Sequence, residues 1–339
     1  MGVQVTRVLI ERGRAVGVEW MQAGALHSAR ANADAILAAG ALQSPQLLQL
    51  SGVGPAALLQ GLKIPVQVDA PEVGRNLQHH YQARVIVQLR EKMSLNDQVR
   101  SPVGLARTGL QWLLQKRGPL TVGAGQVGGM VCSEHAQGGR PDLLFNGRPL
   151  SVDKPGDPLH RFSGFSGFSG FSGFSGFSAW ATQCRPGSRG TVEIRSTDPF
   201  EAPRIVSNDL NAPADIKVLV SGLEVLREIY AQPSFRGLVT GEEHLPGTPL
   251  RSDAELEQFA RDKGVTVFHP VGTCRMGGDA VSVVDPQLRV RGVERLRAID
   301  ASVMPTMVST NTNAATVMIA EKGAAMVQGA VRRGSYPPM

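Results

Sequence analysis

Two segments near the end of the chain carry the residue types that could do chemistry. One reads F-H-P-V-G-T-C-R-M-G, from Phe268 to Gly277. The other reads S-T-N-T-N-A-A-T-V-M-I-A-E-K, from Ser309 to Lys322. The first sets an imidazole, His269, on a turn stiffened by Pro270 and Gly272. The second sets Asn311 and Asn313, with Thr312 between them, at the mouth of a predicted helix. Imidazole titrates near neutrality, and a helix N-terminus favours negative charge. A base facing such a terminus suits proton abstraction beside an anion-accepting cofactor. Cys274 lies just beyond the turn. It can be read as a reactive thiol or as a small packed hydrophobe.

Other chemical signals are weaker. His79 and His80 are adjacent, but no Cys, His or carboxylate stands at ligand spacing near them, so no metal is expected. Gly123 to Gly128 fits G-x-G-x-x-G. A dinucleotide fingerprint follows a strand and opens a helix. Here Pro119 stands upstream, Gly129 follows, and no helical run comes after, so no phosphate site is expected.

The elements that must position these residues follow from periodicity. V-T-R-V-L-I-E and R-A-V-G-V-E-W read as two strands around a turn at Gly13, and His27 to Gly40 as a third strand. Ser44 and Pro45 suit the start of a helix that Gly52 ends. From Tyr81 the runs A-R-V-I-V-Q-L, P-D-L-L-F-N and T-V-E-I-R alternate as in an antiparallel sheet. A long amphipathic helix is predicted from Pro213 to Tyr230. Another is predicted after the capping box of Ser252 and Glu255, ending at Gly264. L-R-A-I-D near the end is a strand, and a final helix begins just after Asn313.

Size and composition exclude several classes. A chain of 339 residues can bury a large core and suggests two domains. The net charge is +6, but the Lys and Arg residues are scattered, so no nucleic-acid surface is expected. No run of about 18 apolar residues is present, so no transmembrane helix is expected. Cys132, Cys184 and Cys274 lie far apart, which suggests reduced thiols and a cytoplasmic site.

One tract stands apart. From Phe162 to Ser178 the triplet F-S-G repeats and holds six of the 11 phenylalanines. A period of three suits neither helix nor strand. It can be read as an aromatic partner-binding tract or as a repeat expansion inside one exposed loop. The second reading predicts that deleting four triplets leaves the fold intact.

G-A-L-Q-S-P-Q-L-L-Q-L-S-G-V-G (Gly40 to Gly54) and V-G-R-N-L-Q-H-H (Val73 to His80) join the two C-terminal segments in a pattern. The set resembles the glucose–methanol–choline (GMC) family of FAD-dependent alcohol oxidoreductases. The resemblance implies an α/β fold class with an α+β substrate domain. A partial FAD-binding, Rossmann-like domain is expected from residues 1–72 and 262–339, with a flavin-covering segment at 73–80. An antiparallel-sheet substrate-binding domain is expected at 81–261. The family pattern makes His269 the base and Asn311 the second active-site residue. It assigns Asn76, Asp300, Ala301, Thr312 and Asn313 to the FAD. Where the family carries Asp, this chain has His79, which puts local contacts in doubt. The motifs look closer to the primary-alcohol and choline dehydrogenases than to the sugar oxidases. That implies a small alcohol substrate and an electron acceptor of quinone or dye type, with peripheral membrane association as one option. The family's N-terminal G-x-G-x-x-G unit is not present. The chain therefore reads as a fragment matching the last two-thirds of a member, either catalytic or a remnant that cannot hold FAD alone.

Overall fold

The computed structural model describes residues 2–98, 102–121, 125–152, 174–247 and 250–332. They fall into two compact units. The first is Met1–His80 with Arg185–Ala212 and Val267–Met339, and the second is Tyr81–Cys184 with Pro213–Thr266.

In the first unit, β1 (Val3–Glu11), β2 (Arg14–Gln22) and β3 (Ala25–Arg30) form an antiparallel meander. Both turns use paired positive φ values, 51° and 76° at Arg12 and Gly13, then 49° and 80° at Ala23 and Gly24. Such turns match the right-handed strand twist. The single strand expected from His27 to Gly40 is divided. After β3, the short β4 (Ala35–Leu37) pairs in parallel with β15 (Leu296–Ala298). Their buried Leu37, Leu296 and Ala298 join Leu48, Val284 and Val303 in the core.

The helix α1 spans Gly40–Leu50, so it begins four residues before the expected cap at Ser44. The Ser44 hydroxyl instead donates to Asp300 Oδ2 at 2.6 Å and accepts from the Ala39 N–H at 3.2 Å. Pro45 therefore lies inside the helix, where it cannot donate to the Ala41 carbonyl. Thr273 Oγ1 donates to that carbonyl at 2.6 Å. The segment that follows His269 thus repairs a defect in α1. Beyond it come β5 (Val53–Gly54), α2 (Ala56–Gly61) and β6 (Val68–Asp69), with β5 and β6 parallel. The final helix α8 spans Thr312–Arg332, beginning one residue before Asn313 rather than after it. A Cβ at its buried Gly323 would stand 2.5 Å from Ile299 Cγ2, so only glycine permits this close packing.

The second unit is built on an antiparallel sheet. Its order is β13 (Val239–Leu245), β7 (Tyr81–Leu89), β10 (Gly176–Gln183), β9 (Leu143–Arg148) and β8 (Val127–Val131), with β14 (Val265–Thr266) also on β7. The amphipathic α5 (Pro213–Ala231) packs on β10 and β7, burying Leu219, Leu223 and Leu226. The capping box is present at α7 (Asp253–Lys263): Ser252 accepts from the Glu255 N–H, and Glu255 accepts from the Ser252 N–H at 2.9 Å. Two short helices, α3 (Leu95–Gln98) and α6 (Pro233–Arg236), and the longer α4 (Pro102–Gln115) complete the unit. Gly123 of the G-x-G-x-x-G match lies outside the described residues, and the match's end at Val127 and Gly128 is part of β8 rather than a helix.

Two expectations change here. The substrate-binding segment was expected to run unbroken through 81–261, but Arg185–Ala212 packs in the first unit. T-V-E-I-R is not part of the large sheet. Its β11 (Thr191–Glu193) pairs with β12 (Arg204–Val206), the Val192 N–H donates to Gly74 O at 2.7 Å, and Gln49 bridges Val192 O and the Ile194 N–H. Alternation reports one buried face and says nothing about which strand lies alongside. The F-S-G tract is the second correction. Residues 153–173 lie outside the described set, but its end is core rather than exposed loop. Phe174 is 9% exposed and its ring lies tilted at 5.0 Å from that of His244, while the Phe177 ring, on β10, meets Tyr230 and Phe235 edge-on. The strand is imposed by its partners β7 and β9, which override the triplet's own preference.

Candidate active site

The site is assembled from three stretches of the first unit. Residues 76–80, 267–274 and 301–308 lie side by side, tied by main-chain bonds between Gln78 and Val271 in both directions and from the Gly272 N–H to Ala301 O. Gly272 has φ of +93°, and a Cβ there would come 2.5 Å from Asn76 O, so the turn accepts glycine only. Phe268 also has positive φ, 60°, and is 73% exposed. A non-glycine residue held there stores strain immediately before His269.

Side chains lock the same stretches. Asn76, at φ of 61°, donates from Nδ2 to Gly272 O at 3.1 Å and Pro305 O at 3.2 Å. Its Oδ1 accepts from Gln78 Nε2 at 3.2 Å. Gln78 also donates to Pro305 O and accepts from the Met307 N–H at 3.1 Å. The Asn76 amide is thus engaged within the protein, and what it offers a ligand is its backbone. Asp300 behaves alike. Its carboxylate accepts from the Gly40 N–H, the Ser44 hydroxyl and the Ser302 N–H at 2.6–2.9 Å. It caps the short helical turn beginning at Ala301 and ties it to the start of α1.

His269 is half-buried, and its Nδ1 lies 3.0 Å from His80 Nδ1. The rings meet edge-on at 77°. His80 is 1% exposed, and its Nε2 lies 3.1 Å from the Val308 carbonyl. Burial holds the His269 imidazole below its usual titration range, and the charge of His79 pushes the same way. His79 itself brings its own carboxylate: its Nε2 sits 2.8 Å from Asp209 Oδ1. That contact gives His79 a carboxylate partner from another segment. Cys274 is fully buried, and burial with the Asp300 charge pushes its thiol far up, so it packs rather than reacts.

Asn311 is exposed and directly precedes α8, while Thr312 and Asn313 occupy the helix's first turn. Arg185 Nη1 donates to Ser309 Oγ at 2.9 Å, holding the approach to that helix. Among the described residues no group of three or more His, Cys, Asp or Glu could hold a metal ion. His80, Gln78 and Thr273 are the site residues that sequence reasoning did not assign. The adjacent His79 and His80 are visible in the sequence, but a ring contact with a residue 189 positions away leaves no local signal.

Family models described as GMC oxidoreductase match residues 1–82 and 186–320. The chain belongs to the GMC oxidoreductase family. It is 38% identical over 327 residues to the mitochondrial choline dehydrogenase of Homo sapiens, covering 96% of this chain and 52% of that protein. It is 36% identical to the "alcohol dehydrogenase [acceptor]" of Pseudomonas putida, covering 95% of this chain and 56% of that one. An FAD-dependent oxidoreductase structure from Chaetomium thermophilum superposes with a TM-score of 0.83 at 25% identity, covering 98% of this chain and 61% of that one. The chain thus spans about half the length of the curated relatives it matches. Within this GMC chain, Ala39, Gly40 and Ala41 line a cleft of about 560 Å³ with Gln46, Phe200 and Pro270. That volume is in the range of small-molecule sites.

Proposed function

We propose that this chain carries the catalytic half of a GMC-type FAD-dependent alcohol dehydrogenase. The substrate would be a primary alcohol, choline-like or aliphatic or aromatic, oxidised to its aldehyde. The observation that carries the reading is His269: a half-buried imidazole whose titration burial pushes down, on a strained turn, with one ring nitrogen held by His80. Its role is to take the alcohol proton. Asn311 is assigned to orient the alcohol oxygen from the residue ahead of α8. FAD, when bound, supplies the acceptor for the hydride that leaves the alcohol carbon. Asn76 and Ala301 are assigned to it through their backbone, Thr312 and Asn313 through the first turn of α8, and Asp300 through its hold on Gly40 and Ser302. The electron acceptor is assigned to the quinone or dye class, in keeping with the "acceptor" named for the P. putida relative.

A second reading has its own observation. The chain matches 52–56% of these relatives' length, and the alternative is a non-catalytic protein that does not retain FAD. A flavin absorption spectrum that co-purifies with the chain, or with the chain and a complementary N-terminal fragment, separates the two. In flavin-loaded protein, His269→Ala should lower turnover by about two to four orders of magnitude. Protein that stays colourless under both conditions is a non-catalytic remnant.

A further inference from the structure

Which nitrogen of His269 carries its proton decides which nitrogen can act as the base. A carbonyl oxygen only accepts, so the contact of His80 Nε2 with Val308 O, at 3.1 Å, requires a hydrogen on that Nε2. His80 is 1% exposed, and both of its ring nitrogens make contacts inside the protein. In a neutral ring with its hydrogen on Nε2, Nδ1 is an acceptor. The 3.0 Å contact between the two Nδ1 atoms then needs a hydrogen on His269 Nδ1. That leaves the His269 Nε2 lone pair as the basic site.

We infer that His80 is a positioning residue: through the chain Val308 O, His80 and His269 it selects the Nδ1–H tautomer of His269 and presents Nε2 as the base. The inference rests on His269 being the base. When an alcohol O–H bond breaks, its proton forms an N–H bond at His269 Nε2. The imidazolium so formed keeps its Nδ1–H bond to His80, so no hydrogen bond is lost as charge appears. The ring orientation comes from the same contact. The Val308 carbonyl, three residues before Asn311, makes the arrangement depend on the segment leading into α8.

The test is imidazole ¹⁵N NMR on the full chain labelled at histidine, with His269→Gln used to assign its signals. The expected result is a protonated Nδ1 and an unprotonated Nε2 on His269, with the opposite pattern on His80. His80→Phe keeps the ring shape but removes both polar atoms, and should shift His269 toward the Nε2–H tautomer. His80→Asn keeps an acceptor near the Nδ1 position and should restore Nδ1–H. In flavin-loaded protein, His80→Phe should lower kcat at least about tenfold with KM little changed, and His80→Asn should recover much of it. A proton on His269 Nε2 in the unaltered chain overturns the inference, as does an unchanged His269 tautomer in His80→Phe. If the tautomer is as expected but His269→Ala keeps full turnover, the base assignment fails while the tautomer assignment stands.

Discussion

His269 and Gly272 show how much one residue can set. The native state binds a proton on His269 less readily than the unfolded chain, because burial and the His79 charge oppose it. His269 therefore favours the fold above its ordinary value of 6.5 and disfavours it as pH falls through the lowered one. NMR titration should place its midpoint below 6.5, and His79→Gln should move it upward by removing a like charge. A midpoint unmoved by His79→Gln would leave burial as the sole cause. Gly272→Ala should cost more than about 1 kcal/mol in denaturant melts, since it combines positive φ with a clash on Asn76. Gly278→Ala six residues on should be near neutral, because its Cβ meets nothing within 4 Å.

At the scale of elements, α1 and the turn that carries His269 share one hydrogen bond. Pro45 leaves the Ala41 carbonyl without a helical donor, and Thr273 supplies one. Thr273→Val should therefore cost about 1–3 kcal/mol, the usual penalty for an orphaned buried group. In a Pro45→Ala background the helix regains its own donor at that carbonyl, and the same Thr273→Val change should cost clearly less. A double-mutant cycle with no coupling would show that this bond does not tie the elements. At α7 the cap is local: Ser252→Ala should cost about 1 kcal/mol in the same melts.

The whole molecule is a chain of two units whose segments interleave in sequence. The F-S-G tract enters one of them as part of β10, so its triplets are not equivalent. Deleting residues 162–173 leaves Phe174 and Phe177 in place and should leave the melting temperature nearly unchanged. Phe174→Ala removes a ring that is 9% exposed and should cost about 3 kcal/mol. A large loss on the deletion, or none on the substitution, would reverse the division of the tract into dispensable and core triplets.

The sequence alone determined what is local. The hairpin at Gly13, the capping box of α7, the length of α5 and the glycine turn beside His269 depend on neighbours a few residues apart, and each is legible in the residues that form it. The family pattern adds His269 and Asn311 only as a proposed pair. Only the tertiary structure decided the rest. T-V-E-I-R has a strand's alternation whichever sheet receives it, and Gly74 and Gln49 received it in the first unit. Ser44 is a good cap in isolation, but the buried carboxylate of Asp300, 256 residues away, takes its hydroxyl. His80 and His269 stand 189 positions apart, and no periodicity links them. Their contact comes from long-range pairing of Gln78 with Val271, which brings two imidazoles within one hydrogen bond. Local rules set which elements form, while the satisfaction of buried polar groups across long loops sets which residues meet.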